Sequence, residues 1–297
     1  VGRGRAGRAV ASVAVSDVSA AQTPEGLRPL TATVSARQYL RDIWARRDFT
    51  FALPFEELRS SHLDTFLGNV WHLGNPLLSA GVYYLVFAHI LNVDRGIDNY
   101  IVWLVIGVFA YHLTSSSILG GAKSIDNRQG LMRSFRFPRA IIPISNTIGH
   151  LLTFGFQLLV VVLVALGSGV GPSRRWLALP LVLLLHTMLN LGGSFVAARL
   201  NDAFRDVEQL IPFVLRLLQY TSGVMFSVDR VLAGDNVWAQ RLITLNPIVA
   251  ILDAYRWMIL GNPMRPGALV VAVVESVALL VFGFRFFRAA EHSYGKP

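Results

Sequence analysis

The sequence predicts an all-α integral membrane protein with six transmembrane helices, and three observations carry that prediction. Hydrophobic residues make up 53% of the 297 residues. Charged residues make up only 15%, where soluble domains average about 25%. The mean hydropathy of +0.50 is not spread evenly. Apolar stretches of about 20 residues, the length that crosses a hydrocarbon core, alternate with short basic segments. A wholly disordered chain, a collagen-like chain and an ordinary cytosolic enzyme are excluded as descriptions of the whole. The chain contains no Cys, which removes disulfide frameworks, thiolate metal sites and a Cys nucleophile.

Residues 1–35 are rich in Arg, Ser and Ala, lack the apolar core of a secretory signal, and read as a disordered cytoplasmic tail. Residues 36–66 hold an amphipathic helix and a polar link. In Ala36–Asp48, Tyr39, Leu40, Ile43, Trp44 and Arg47 recur at helical spacing, with Arg37, Arg41, Arg46 and Asp48 around the other side. Such a helix lies in the membrane interface or packs on a partner protein. Tyr39, Trp44, Arg46 and Arg47 are its candidate contacts with headgroups.

Residues 67–288 form the expected six-span domain. The spans read as Gly68–Leu91, Tyr100–Leu119, Ala140–Leu166, Trp176–Ala198, Val207–Phe226 and Ala268–Phe287. The fifth is the least apolar, because it holds Pro212, Arg216 and Gln219. Between the fifth and sixth lies Ser227–Met264. It is too short to cross and return as two full spans, so it reads as short re-entrant or surface helices. Residues 289–297 read as a cytoplasmic C-terminal tail.

The net charge of +9 comes from 25 Arg and 2 Lys against 18 acidic residues. With both termini placed inside, nineteen of the basic residues fall in inner segments and seven in outer ones. The positive-inside rule therefore puts both termini in the cytoplasm, with Arg174 and Arg175 as local exceptions. Arg216 falls inside a span, where a charge costs about 2.5–3.5 kcal/mol on insertion scales. It must meet protein, water or an anion: a lipid-linked diphosphate or polymer, or Glu208 or Gln219 on its own helix. Five of the seven His fall in spans (His72, His89, His112, His150 and His186) with no two spaced on one helix face. Interhelical hydrogen bonding and a metal or proton site are the two readings. Glu275 is the clear intramembrane carboxylate. The sequence contains no G-x-x-x-x-G-K-[ST] phosphate loop, no HExxH and no G-x-S-x-G. No catalytic residue and no metal ligand is therefore assigned.

The run Tyr39–Asp48 (YLRDIWARRD) with Leu67–Leu78 (LGNVWHLGNPLL), then Asn127–Ser145 (NRQGLMRSFRFPRAIIPIS), then Asn246–Gly261 (NPIVAILDAYRWMILG), resembles the permease subunit of type-2 ABC exporters for polysaccharides. The likeness runs from about Ala36 to Phe287, and the longer, more polar link Thr50–Thr65 departs from it. The resemblance implies a homodimer in the bacterial cytoplasmic membrane, joined by two copies of a separate ABC ATPase. That partner would carry ATP and Mg, and this chain no cofactor. It implies a polyprenyl diphosphate-linked polysaccharide as cargo, contact with membrane lipids and no nucleic acid. The bias of Arg over Lys and the load of Ala, Val and Gly suggest a GC-rich genome and, together with the polar link, an actinobacterial galactan exporter within the family.

By the same resemblance, Gly121–Arg136 and Arg199–Glu208 are the elements that engage the ATPase. Asp126, Arg128, Arg133, Phe135 and Arg136 are the candidate anchors of the first, and Arg199, Asp202 and Arg205 of the second. Positive-inside topology alone also accounts for these Arg. A sugar conduit favours aromatic faces, which cover C–H surfaces without trapping hydroxyls. Tyr83, Tyr84, Phe87, Trp103, Phe109, Tyr111, Tyr220 and Phe226 are its candidates, together with Arg216. Asp253 and Arg256, three apart on one helix, are candidates for the outer gate, as an ion pair or as a polar lining. The rival classes are an ion-coupled secondary transporter, a membrane transferase acting on polyprenyl phosphate, and a structural anchor.

Overall fold

The computed structural model describes residues 35–60, 71–91, 97–232, 234, 236–291 and 294. The N-terminal tail up to residue 34, the second half of the polar link with the start of the first span (61–70), and the last residues of the C-terminal tail (295–297) lie outside them. The chain divides into two units, Val1–Leu40 and Arg41–Pro297. Of the first, the described part is Ser35–Leu40, where the Tyr39 and Gln38 amides bond back to Ser35 and start a helix.

Twelve α-helices are described, with no strand among the described residues: α1 Ala36–Ala45, α2 Arg47–Ser60, α3 Trp71–Tyr83, α4 Tyr100–Asn127, α5 Gln129–Ser134, α6 Ile141–Gly167, α7 Leu179–Ala203, α8 Val207–Thr221, α9 Val228–Leu232, α10 Val237–Thr244, α11 Pro247–Leu260 and α12 Pro266–Ala289. A π-helical segment, Tyr84–Ile90, continues α3, and a 3₁₀ turn, Arg174–Ala178, leads into α7.

Among the described residues, five stretches are long and apolar enough to cross a membrane: Leu73–Ile90, Tyr100–Asn127, Ile141–Gly167, Arg174–Ala203 and Pro266–Ala289. The fifth expected span, Val207–Phe226, is the 15-residue α8 followed by a turn. At 1.5 Å per residue α8 is about 22 Å long, short of a core of about 30 Å. The exposed faces of α6 (Phe156, Leu159, Leu163) and α12 (Val270, Val274, Phe282) are bare apolar side chains. Such faces belong against lipid, since water would make them aggregation surfaces.

Helix α4 is the centre of the bundle. It packs on α6 and α7, and α7 packs on α12. Within the membrane apolar side chains gain little by leaving lipid, so close backbone approach must come from small residues. Gly192 of α7 lies against the Leu279–Leu280 backbone of α12, where an added Cβ would sit 2.7 Å from main-chain atoms. Gly121 of α4 meets Ser194 of α7 in the same way.

The segment between α8 and α12 supports the re-entrant reading in part. Helix α11 starts on Asn246, whose side chain accepts the Ile248 amide, and on Pro247 at its first turn. It stops at Gly261, whose φ of 80° is the left-handed cap that favours glycine. Its residues are buried around the whole circumference, from Ile248 to Ile259. It is therefore an internal element, not a surface helix.

The α7–α12 contact gives a prediction. Gly192→Ala pushes a methyl into backbone that cannot give way, and overpacking of this kind costs about 1–3 kcal/mol. The thermal unfolding temperature of the purified protein should fall, whereas Gly155→Ala, at a position with open space, should leave it unchanged.

Candidate functional site

At the end expected to face the cytoplasm, α4 outruns the membrane. Its 28 residues span about 42 Å, so its last turns project beyond a core of about 30 Å. There the buried Asn201 of α7 donates its side-chain amide to the Ala122 carbonyl and to Asp126 Oδ2, each at 3.1 Å. Gln129 of α5 donates to the other Asp126 oxygen at 3.2 Å. Lys123 pairs with Glu208 of α8 at 2.9 Å. Arg199 pairs with Asp202 at 3.1 Å and lies 6.0 Å from the Phe286 ring of α12. Arg46 donates to the Arg136 carbonyl at 2.5 Å, and Phe49 meets Phe137 edge-on at 5.5 Å.

These contacts differ in weight. Lys123 and Glu208 are both well exposed, and pairs of that kind contribute about 0–1 kcal/mol. The amide of Asn201 is buried, so its two bonds are the firm tie between the last turns of α4 and α7, which lead into the two loops. The loops expose Phe135 (65%) and Phe204 (68%). Arg133, Arg136 and Arg205 are exposed around them, as is Asp126, while Arg128 is half-buried. The arrangement is a braced platform carrying two aromatic knobs in a basic field.

The interface-helix candidates separate. Trp44 is 70% exposed, with the Arg47 guanidinium 5.7 Å from its ring. Tyr39 is buried, and Arg46 is committed to the first loop.

The conduit candidates separate as well. Trp103, Phe109 and Tyr111 are buried inside the bundle, and the Tyr111 hydroxyl donates to the Leu215 carbonyl. In this arrangement they offer a polymer no surface. Tyr84 stacks on Tyr100 at 6.3 Å, and Tyr83 lies edge-on to Phe87 at 6.4 Å. Tyr220 is 53% exposed, and Phe226 is half-buried. Tyr220 shares an exposed stripe of α8 with Phe213 and Arg216, at i, i+3 and i+7. Phe213 was not singled out from the sequence; its spacing to Arg216 was the available signal.

Arg216 is exposed and makes no hydrogen bond or ion pair with a described residue. Both partners expected on its own helix are engaged elsewhere: Glu208 with Lys123, and Gln219 with the Tyr83 hydroxyl at 3.4 Å.

At the opposite end, Asp253 and Arg256 do not pair with each other. After the Gly261 turn the chain folds back, and Arg265 Nε donates to Asp253 Oδ2 at 3.1 Å. Arg256, only 3% exposed, turns towards α4. Its guanidinium lies 3.3 Å over the Trp103 ring, and its Nη2 donates to the Gly223 carbonyl at 2.9 Å and the Val224 carbonyl at 3.4 Å. Gly107 leaves the room for it, since a Cβ there would sit 2.9 Å from Nη2. Arg256 thus latches α11, α4 and the turn after α8.

The His residues bond between helices. His186 shares a 2.7 Å hydrogen bond with Thr114 and a 3.3 Å one with Tyr255, and His112 contacts Gln157 at 3.2 Å. Among the described residues no three His, Cys, Asp or Glu are grouped to hold a metal.

The profile of the ABC-2 type transporter family matches residues 52–260 of this chain. The chain belongs to that family of membrane proteins. It is 25% identical over 250 residues to an O-antigen export system permease protein of Klebsiella pneumoniae, covering 84% of this chain and 94% of the relative. It is 24% identical over 258 residues to the like-named protein of Myxococcus xanthus, covering 86% and 98%. A polysialic acid transport protein of Escherichia coli is 21% identical over 248 residues, covering 82% and 93%. The all-helical, multi-pass architecture agrees with membership of the family.

Arg256→Leu removes both carbonyl bonds and a desolvated cation–π contact, which is itself worth about 2 kcal/mol or more. The purified permease should lose thermal stability. Arg256→Lys should recover less than half of the loss, because one ammonium cannot cover a ring and two carbonyls together.

Proposed function

We propose that this chain is the permease subunit of an ATP-driven exporter that moves a lipid-linked polysaccharide across the bacterial cytoplasmic membrane. It works as a homodimer with two copies of a separate ABC ATPase, and both termini are cytoplasmic. The observation that carries the reading is the braced inner platform. The buried Asn201 amide ties the last turns of α4 and α7, and the segments that follow them leave Phe135, Phe204, Arg133, Arg136 and Arg205 free to meet another surface. Aromatic and Arg side chains of this kind are the usual anchors of protein interfaces. The chain has no phosphate loop of its own in its sequence, so the nucleotide and its Mg belong to the partner.

The mechanism follows from rigidity. ATP binding draws the two ATPases together. A knob seated in each of them moves with it, and the platform carries that motion to α4, α7 and α8 as rigid elements. Helix α8, short and proline-containing, lines the path with Phe213, Arg216 and Tyr220. The aromatic faces cover sugar C–H surfaces, and the Arg216 guanidinium meets the diphosphate of the polyprenyl carrier. Tyr83, Tyr84 and Phe87 flank the path, while Trp103, Phe109 and Tyr111 shape it from behind. The O-antigen export permeases and the polysialic acid transport protein among its relatives support a polysaccharide cargo. The excess of Arg over Lys, 25 to 2, favours a GC-rich source and a galactan within that class.

Two outcomes test the reading. Charge reversal at Arg133 and Arg136, or Phe135→Ala, should lower ATP hydrolysis by the assembled permease–ATPase complex; an unchanged rate contradicts the coupling role. Arg216→Leu should reduce surface polysaccharide in cells while membrane levels of the folded protein stay normal; undiminished export removes the anion contact. Transport that followed an ion gradient and needed no ATPase would favour the secondary-transporter reading instead.

A further inference from the structure

Glu291 and Tyr294, just beyond α12, are tied into the bundle. Tyr294 is fully buried, with its ring 4.7 Å from that of Phe287, the last aromatic residue of α12, which is also fully buried. The Tyr294 hydroxyl donates to the Phe287 carbonyl at 2.7 Å. Burial pushes this phenol up from its ordinary value, so it stays a donor.

The same two residues grip the start of α6. Arg139 Nη1 donates to the main-chain carbonyls of both Glu291 and Tyr294. In return the Glu291 carboxylate accepts the Arg139 backbone N–H at 2.9 Å. That places a negative charge at the N-terminus of a 27-residue helix, where the helix dipole favours it. Arg139 and Glu291 thus clasp each other in both directions. Arg199 and Asp202 of the second loop lie close enough to act on the Tyr294 phenol, and Arg199 also faces Phe286.

We infer that Glu291 and Tyr294 together form a positioning element for transport: they clasp the first cytoplasmic loop to the last span, so that motion of the platform also moves α12. The inference rests on the permease reading above. The pair touches neither nucleotide nor cargo. It works through Arg139, which lies three residues beyond the exposed platform residue Arg136. Without the clasp, the platform would still engage the ATPase through Phe135, but α12 would no longer follow it.

The test uses the full-length permease co-expressed with its ATPase in the native host. Tyr294→Phe keeps the ring and removes the hydroxyl bond. Arg139→Lys keeps the charge but shortens the side chain and loses the planar geometry that brings Nη1 to both carbonyls. Both changes are mild enough to leave folding and assembly intact, which thermal unfolding and co-purification of the ATPase report. The expected result is ATP hydrolysis by the purified complex retained within about twofold while surface polysaccharide per cell falls roughly tenfold, in the range of a typical coupling energy. Phe135→Ala runs beside them. If it lowers hydrolysis and the clasp variants export normally, the clasp is packing only and the inference fails alone. If Phe135→Ala leaves hydrolysis and export untouched, the coupling role proposed for the platform, on which the inference rests, fails instead.

Discussion

The closeness of α4, α7 and α12 is the constraint on which the rest of the molecule depends. Lipid chains are as apolar as leucine, so burying apolar surface does little to hold these helices together. Gly121, Gly192 and Gly283 instead let main chains touch, and packing supplies the attachment. Because α4 and α7 lie so close, the Asn201 amide can reach a carbonyl and a carboxylate on the neighbouring helix. Because α7 and α12 lie so close, Arg199 can reach over Phe286. Helices joined this closely are suited to move as one body, as the proposed coupling requires.

The two ends of the bundle are secured by different chemistry, and the difference suits their surroundings. The platform end is the more exposed. Its exposed ion pairs add little, and its firm links are the buried amide of Asn201 and the Arg139–Glu291 clasp. The opposite end is buried around Arg256. There a guanidinium lies against an indole face and two carbonyls, and such contacts are strong because water is excluded. Between the ends, the short helix α8 carries exposed aromatic residues and a cation.

Much of the architecture was legible in the sequence, and the failures have physical causes. Spans announce themselves by length and hydropathy, so five of the six expected segments appear as helices of crossing length. Val207–Phe226 was read as longer than it is, because apolar residues on both sides of Pro212 hide the turn that begins at Ser222. Spacing showed that Asp253 and Arg256 share a side of α11, but not that Arg265 would fold back onto one while Trp103 took the other. Aromatic content could not separate Trp103, Phe109 and Tyr111, which sit inside the bundle, from Tyr220 at its surface, because a helix that is apolar all round gives no direction. The buried roles of Asn201 and Tyr294 left no pattern at all: each is a single polar or aromatic residue whose partners lie far away in the chain.

The absence of native Cys makes the central claim directly measurable. Single cysteines placed by Phe135→Cys, Phe204→Cys and Leu163→Cys can be treated, in the membrane-embedded permease–ATPase complex, with a short bifunctional crosslinker. The account predicts adducts with the ATPase from positions 135 and 204, and none from the lipid-facing position 163. An ATPase that crosslinks to neither loop position, or that does not associate with this chain at all, would contradict it.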